Sequence, residues 1–211
     1  MIGNYGLYLV TDSGMAGGWQ KVAGVVAEAI DGGVNTVQVR DKELDDTTFS
    51  ALVESVLSVT EPAKVPLIVN DRVEVAARFS LDVHIGQGDM PLETARELLG
   101  AGPRIGLSVG THAELRAALS GSIRPDLIGM GPVYATNTKK DAGAALGVNT
   151  LQALAADAAA SGICSVAIGG LNTSNIAEVS RTGVAGCCVV SAIMAATDPA
   201  EAARSLKELM A

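Results

Sequence analysis

Aromatic side chains are scarce in this chain: one Trp, three Tyr and two Phe among 211 residues, or 3%. A core built without them must rest on Val, Ile, Leu and Ala, and branched aliphatic runs between Ala-rich stretches suit a parallel sheet buried on both faces. An excess of basic residues is also missing. Fifteen Lys and Arg stand against 23 Asp and Glu, for a net charge of −8. A duplex-binding surface needs a basic face, so no nucleic-acid partner is expected. The three cysteines, Cys164, Cys187 and Cys188, lie in apolar runs without metal-ligand spacing, which predicts small reduced core residues. No apolar run approaches the roughly 18 residues of a membrane span. The opening Met1-Ile2-Gly3-Asn4-Tyr5 has no basic leader segment. A soluble, cytoplasmic protein with no membrane partner is therefore expected. Only two histidines are present and no nucleophile motif accompanies them, which argues against triad hydrolysis.

What the chain does have is repetition. A short apolar run is followed by an amphipathic helical stretch, and the unit recurs without a linker. The runs are Leu7–Val10, Val34–Arg40, Leu67–Val69, Val83–Ile85, Ile105–Leu107, Leu127–Met130, Ser165–Ile168 and Gly186–Val190. Helices are predicted after Gly18 and Asp45, over Val73–Phe79, from Pro91, Thr111 and Val148, after Asn172, and from Pro199. Strands alternating with helices imply right-handed parallel crossovers. About eight such units in about 200 residues fit closure into a (β/α)8 TIM barrel of the α/β class. One domain over residues 1–211 is expected. An open doubly wound sheet fits less well, because Thr11-Asp12-Ser13-Gly14 after the first run is not a dinucleotide fingerprint. Thr111 with Glu114 has capping-box spacing, and Asp198 before Pro199 reads as a helix N-cap.

A barrel carries its site at the C-terminal strand ends. In Val37-Gln38-Val39-Arg40-Asp41-Lys42, alternation puts Gln38, Arg40 and Lys42 on one face and the valines on the other. Gathering Arg and Lys at a barrel mouth is costly unless an anion joins them; the competing reading is an ion pair with Asp41 or Glu43. Asn70-Asp71 and Gly86-Gln87-Gly88-Asp89 end neighbouring runs, so Asp71 and Asp89 can share one Mg²⁺ whose other ligands are phosphate oxygens and water. A helix cap at Asp71 and a turn role for Asp89 are the structural alternatives. The loop from Gly131 to Lys140 is long and rich in hydroxyl groups, with Thr136, Thr138 and Lys139 as candidate phosphate contacts. Gly169-Gly170 and Val190-Ser191 follow the last two runs, where this fold often binds phosphate. Ser108 ends the fifth run. His84 reads as a packed histidine and His112 as an exposed one. An anion clamp, a metal pair and a second phosphate cradle, without an evident general base, suit chemistry in which pyrophosphate departs and a cation is trapped.

Taken together, these segments resemble the thiamine phosphate synthase family, across nearly the whole chain. The resemblance rests on Tyr8–Asp12, Val37–Lys42, Val69–Arg72, His84–Asp89, Gly131–Tyr134 with Thr136–Lys140, Ile168–Gly170 and Ser191–Ile193. It implies a cytoplasmic transferase joining 4-amino-5-hydroxymethyl-2-methylpyrimidine diphosphate to 4-methyl-5-(2-phosphoethyl)thiazole or its carboxylate. Pyrophosphate leaves, a pyrimidine methylene cation forms, and the thiazole nitrogen captures it. The resemblance implies that Gln38, Arg40, Lys42, Asn70 and Lys139 hold the diphosphate, that Asp71 and Asp89 bind one Mg²⁺, and that Ser108 contacts the departing group. Arg40, Lys42, Ser108 and Lys139 would then carry catalysis. Thr136, Thr138, Gly170, Val190 and Ser191 would cradle the thiazole phosphate. Many relatives carry histidine two residues after the serine, where this chain has Gly110. The related thiazole tautomerase uses that histidine, so its absence favours the synthase; a non-catalytic phosphate-binding barrel is the other alternative. A homo-oligomer is compatible with the sequence and is not specified by it.

Overall fold

Val, Ile and Leu fill alternate positions of short strands, and each strand is followed by a helix that covers its outward face. The computed structural model describes residues 5–136 and 143–211. In chain order the elements are β1 (Gly6–Val10), a 3-10 turn at Trp19–Lys21, α1 (Val22–Asp31), β2 (Thr36–Val39), α2 (Asp46–Thr60) and β3 (Leu67–Asn70). Next come α3 (Val73–Phe79), β4 (Asp82–Ile85), α4 (Leu92–Leu99), β5 (Ile105–Val109), α5 (His112–Ser120), β6 (Leu127–Met130) and α6 (Gly147–Ala160). The chain finishes with β7 (Cys164–Ile168), α7 (Ile176–Ser180), β8 (Gly186–Val189), α8 (Ser191–Met194) and α9 (Pro199–Leu209). The strands close in sequence order into a barrel, and β8 pairs in parallel with β1. This is the (β/α)8 architecture expected from the repeat.

Period-two alternation divides the apolar residues into two layers. Leu7, Leu9, Val37, Val39, Val69, Val83 and Ile85 point outward and meet the helices, where Phe49, Leu52, Val53 and Leu151 pack on them. Tyr8, Val10, Ile68, Leu127, Val166 and Cys188 fill the barrel itself. At its N-terminal end, the Tyr5 ring stacks on Tyr8, and the Arg104 guanidinium lies 5.7 Å from the centre of the Tyr5 ring while pairing with Asp82 at 2.8 Å. The inward positions turn polar toward the C-terminal end. Ile68 is followed two residues on by Asn70 and Gly106 by Ser108, and His84 lies one inward step above Asp82, whose charge Arg104 pairs. The lumen is thus sealed below and polar above.

Helix ends follow their local chemistry. Thr111 caps α5 by accepting from the Glu114 N–H at 3.1 Å, and the Glu114 carboxylate accepts from the Gly110 N–H at 2.6 Å. Asp198 accepts from the Glu201 N–H at 2.8 Å with Pro199 opening α9. Two elements depart from expectation. The second run becomes a strand only over Thr36–Val39, so Arg40 and Lys42 lie in the loop beyond it. The four residues Ser191–Met194 form a separate short helix, too short for a hydrophobic period to signal in the sequence.

Candidate active site

Gln38 occupies the last inward position of β2. It is buried, and its Nε2 donates to the Tyr8 hydroxyl at 2.7 Å. Burial pushes the Tyr8 phenol well above its ordinary range, so this pair is neutral and acts as a hydrogen-bonding floor. Arg40 is fixed through its backbone: its N–H donates to Thr11 Oγ1 at 3.0 Å, and that hydroxyl donates to the Arg40 carbonyl at 3.3 Å. The Arg40 side chain is half-buried, and among the described residues no carboxylate pairs with it.

Lys42 does not pair with Asp41 or Glu43. Its Nζ forms an ion pair across the rim with Asp71. The Asp41 carboxylate instead accepts from the N–H groups of Glu43 and Leu44 at 2.8 and 3.0 Å, closing the turn that presents Lys42. Asp71 follows β3 with φ of 60°, a left-handed conformation that Asp tolerates better than most residues. Its N–H donates to the His84 carbonyl at 2.8 Å, which ties it to β4. Asp71 does not cap α3 with its side chain. Burial raises its pKa; Lys42 opposes the rise, and Asp89 within hydrogen-bonding reach adds to it. Asp89 does serve its turn, accepting from the Gly86 N–H at 2.7 Å, yet its carboxylate also faces Asp71.

Two crowded carboxylates beside one lysine form an arrangement that a cation relieves. Among the described residues no third His, Cys, Asp or Glu joins them. The pair therefore fits a Mg²⁺ that takes most of its remaining ligands from substrate oxygens and water, as Mg²⁺ usually does.

The side wall comes from residues that sequence patterning undervalued. His84 is buried in the lumen, and its Nε2 lies 3.0 Å from Ser108 Oγ. Space for the ring is made by β5 and β6. A Cβ at Gly106 would stand 2.3 Å from His84 Nδ1, and one at Gly129 would stand 2.7 Å from Cε1. Gln87 Nε2 donates to the Ser108 carbonyl at 2.7 Å, fastening the β4 loop to β5. Tyr8 and His84 join the site through the barrel's closure, and the available signal was their parity with Gln38, Asn70 and Ser108; Gln87 lies in the loop beyond β4, where alternation gives no signal. Asn70 sits in register with His84 at the rim.

A second cluster lies at β6–β8. The Val133 and Tyr134 N–H groups donate to the carbonyls of Ile168 and Gly169 at 2.9 and 3.1 Å, docking the β6 loop on the β7 loop. Gly169 and Gly170 have φ of 104° and 71°, and a Cβ on either would strike Pro132 or Tyr134. These glycines are thus needed for loop docking, a reason separate from any phosphate contact. The Gly170 carbonyl accepts from Asn172 and Asn175 side chains at 3.2 and 3.0 Å, which holds the turn. Val190 and Ser191 stand at the start of α8, the short extra helix that often accompanies a phosphate site in this fold. Thr136 is half-buried at the end of the described part of the β6 loop. Thr138 and Lys139 lie outside the described residues.

Comparison with known proteins agrees with this fold. A family model described as thiamine monophosphate synthase matches residues 7–193. The chain is 49% identical over 211 residues to the thiamine biosynthesis multifunctional protein ThiED of Corynebacterium efficiens, with 98% of this chain and 29% of that protein aligned. It is 42% identical over 205 residues to a thiamine-phosphate synthase of Clostridium botulinum, covering 96% of this chain and 97% of the relative. A thiamine phosphate pyrophosphorylase structure from Pyrococcus furiosus superposes with a TM-score of 0.86 at 30% identity, covering 98% of this chain and 96% of that one. The chain spans 29% and 27% of the two multifunctional relatives it matches.

Proposed function

The chain belongs to the thiamine monophosphate synthase family, and from that premise we propose that it joins the pyrimidine diphosphate to the thiazole phosphate, releasing pyrophosphate and forming thiamine phosphate. The observation that carries this reading is the meeting of Lys42, Asp71 and Asp89 at one point of the rim. A lysine and two carboxylates there are mutually frustrated alone and complementary to a diphosphate with its metal.

In this reading Arg40, Lys42, Asn70, Ser108 and Lys139 hold the diphosphate, and Asp71 and Asp89 hold one Mg²⁺. When bound, the metal neutralises charge on the departing pyrophosphate. Arg40 and Lys42 stabilise the same developing charge from the protein side. Ser108, braced by His84, offers its hydroxyl to the leaving oxygen. Gln38, braced by Tyr8, joins the diphosphate contacts from the lumen. The C–O bond breaks with its electron pair leaving on pyrophosphate, and the thiazole nitrogen supplies the pair that forms the C–N bond. No proton changes hands at the reacting carbon, so the step calls for no general base. Gly170, Val190, Ser191, Thr136 and Thr138 hold the thiazole phosphate, placing its nitrogen against the methylene carbon.

The tautomerase alternative would require the acid–base histidine that relatives carry two residues after the serine. Gly110 stands in that position, and its N–H is committed to Glu114. The test is product formation with each substrate alone and with both. Thiamine phosphate and pyrophosphate appearing only with both substrates support the synthase, whereas isomerisation of the thiazole carboxylate phosphate by itself supports the tautomerase.

A further inference from the structure

Arg72 follows Asp71 directly, and its side chain reaches the loop that carries Lys42. It is only 19% exposed. One guanidinium nitrogen, Nη1, donates to Asp46 Oδ1 at 2.6 Å. The other, Nη2, donates to the Leu44 carbonyl and to the Asp41 carbonyl, the latter at 3.3 Å. The guanidinium carbon lies 4.4 Å from the centre of the buried Phe49 ring. Asp41 and Leu44 bracket the turn whose own N–H bonds close on the Asp41 carboxylate. The fork therefore grips both backbone ends of that turn at once. Lys42, at the top of the same turn, reaches across to Asp71.

We propose that Arg72 is a positioning residue for the diphosphate and metal site, a brace between β3 and the β2–α2 loop that sets the spacing between Lys42 and Asp71. Its backbone adjoins Asp71 and its side chain holds the turn of Lys42, so one residue fixes both halves of the clamp. Arginine is required for this. A planar fork can serve two carbonyls and a carboxylate while stacking on an aromatic face, and a lysine ammonium cannot do all of these together. Partners that orient ligand-bearing groups typically affect metal affinity or activity by about 10–100-fold when changed.

The inference rests on the synthase reading, and the test separates the two. Arg72→Lys and Asp46→Asn are compared with the unaltered protein by calorimetric binding of inorganic pyrophosphate with Mg²⁺ and by the KM of each substrate. Asp46 is 77% exposed in the first turn of α2, so its change to Asn takes the charge from one arm of the brace without threatening the fold. Arg72→Lys is expected to weaken pyrophosphate–Mg²⁺ binding and raise the KM for the pyrimidine diphosphate by about 10–100-fold. Asp46→Asn is expected to shift both in the same direction by a smaller factor. The KM for the thiazole phosphate, bound across the rim, is expected to stay within about twofold, as for an uncoupled distant site. Unchanged pyrophosphate binding in a folded Arg72→Lys protein, or an equal rise in both KM values, overturns the bracing role. A normal protein that neither binds pyrophosphate nor makes thiamine phosphate overturns the synthase reading instead.

Discussion

At the scale of single residues, the candidate site sets two like charges against one another. Asp71 and Asp89 crowd one another beside Lys42. Asp71→Asn or Asp89→Asn is expected to lower kcat by about 100-fold or more, the scale on which single charge-stabilising groups act. Circular dichroism should show an intact fold, and the thermal shift caused by Mg²⁺ with pyrophosphate should disappear; full turnover by both variants at limiting Mg²⁺ contradicts the metal assignment. Asparagine also tolerates the left-handed backbone at position 71. The cysteines make the opposite case, since burial raises Cys187 to about 12 and Cys188 well above its usual value. Neither should react with a thiol reagent at pH 8 until the protein unfolds. Because the unfolded thiols ionise near 9.0 and the folded ones later, their contribution to stability is constant below that value and declines as pH rises through it toward 12. A denaturation midpoint that rises from pH 9 to 10.5 in the unaltered protein, relative to Cys187→Ala/Cys188→Ala, contradicts this sign.

At the scale of elements, the strands were legible because each is an apolar run between turn residues, and the capping residues Thr111 and Asp198 announced their helices. The ends were harder to read. β2 stops at Val39, so the alternation that correctly sends Gln38 into the lumen does not itself place Arg40 and Lys42. The turn closed by Asp41 places Lys42 instead, and a side chain bonding to its own loop leaves no periodic signal. His84 looked like a packing residue because the glycines that admit its ring, Gly106 and Gly129, lie on other strands. The docking of the β6 loop on the β7 loop was equally invisible, although its glycines were noticed. A Cβ at Gly170 would stand 2.8 Å from the Tyr134 Cβ in a backbone with φ of 71°. Gly170→Ala is expected to cost about 1–3 kcal/mol of stability by overpacking. It should raise the KM for the thiazole phosphate several times more than that for the pyrimidine diphosphate, about tenfold if the cradle shifts by a fraction of an ångström. Steady-state kinetics with one substrate varied at a time checks this, and an unchanged thiazole KM would detach the loop from phosphate binding.

At the scale of the whole molecule, barrel closure turns residues far apart in sequence into one rim. Lys42 and Asp71 are 29 positions apart, and His84 and Ser108 are 24 apart, yet each pair is in contact. Apolar packing below and outside leaves the upper lumen free for polar groups, so the fold and the site come from the same alternation of side chains. The candidate contacts fall into two clusters, one at the ends of β2–β5 and one at those of β6–β8, and on the proposed reading this suits a reaction between two phosphorylated molecules better than hydrolysis of one. The most direct test of that claim follows thiamine phosphate and pyrophosphate together after mixing the protein with Mg²⁺ and the two substrates, singly and combined. The two products are expected in equal amounts, formed only when both substrates are present. Absence of thiamine phosphate under those conditions, from a folded protein that still binds pyrophosphate with Mg²⁺, would contradict it.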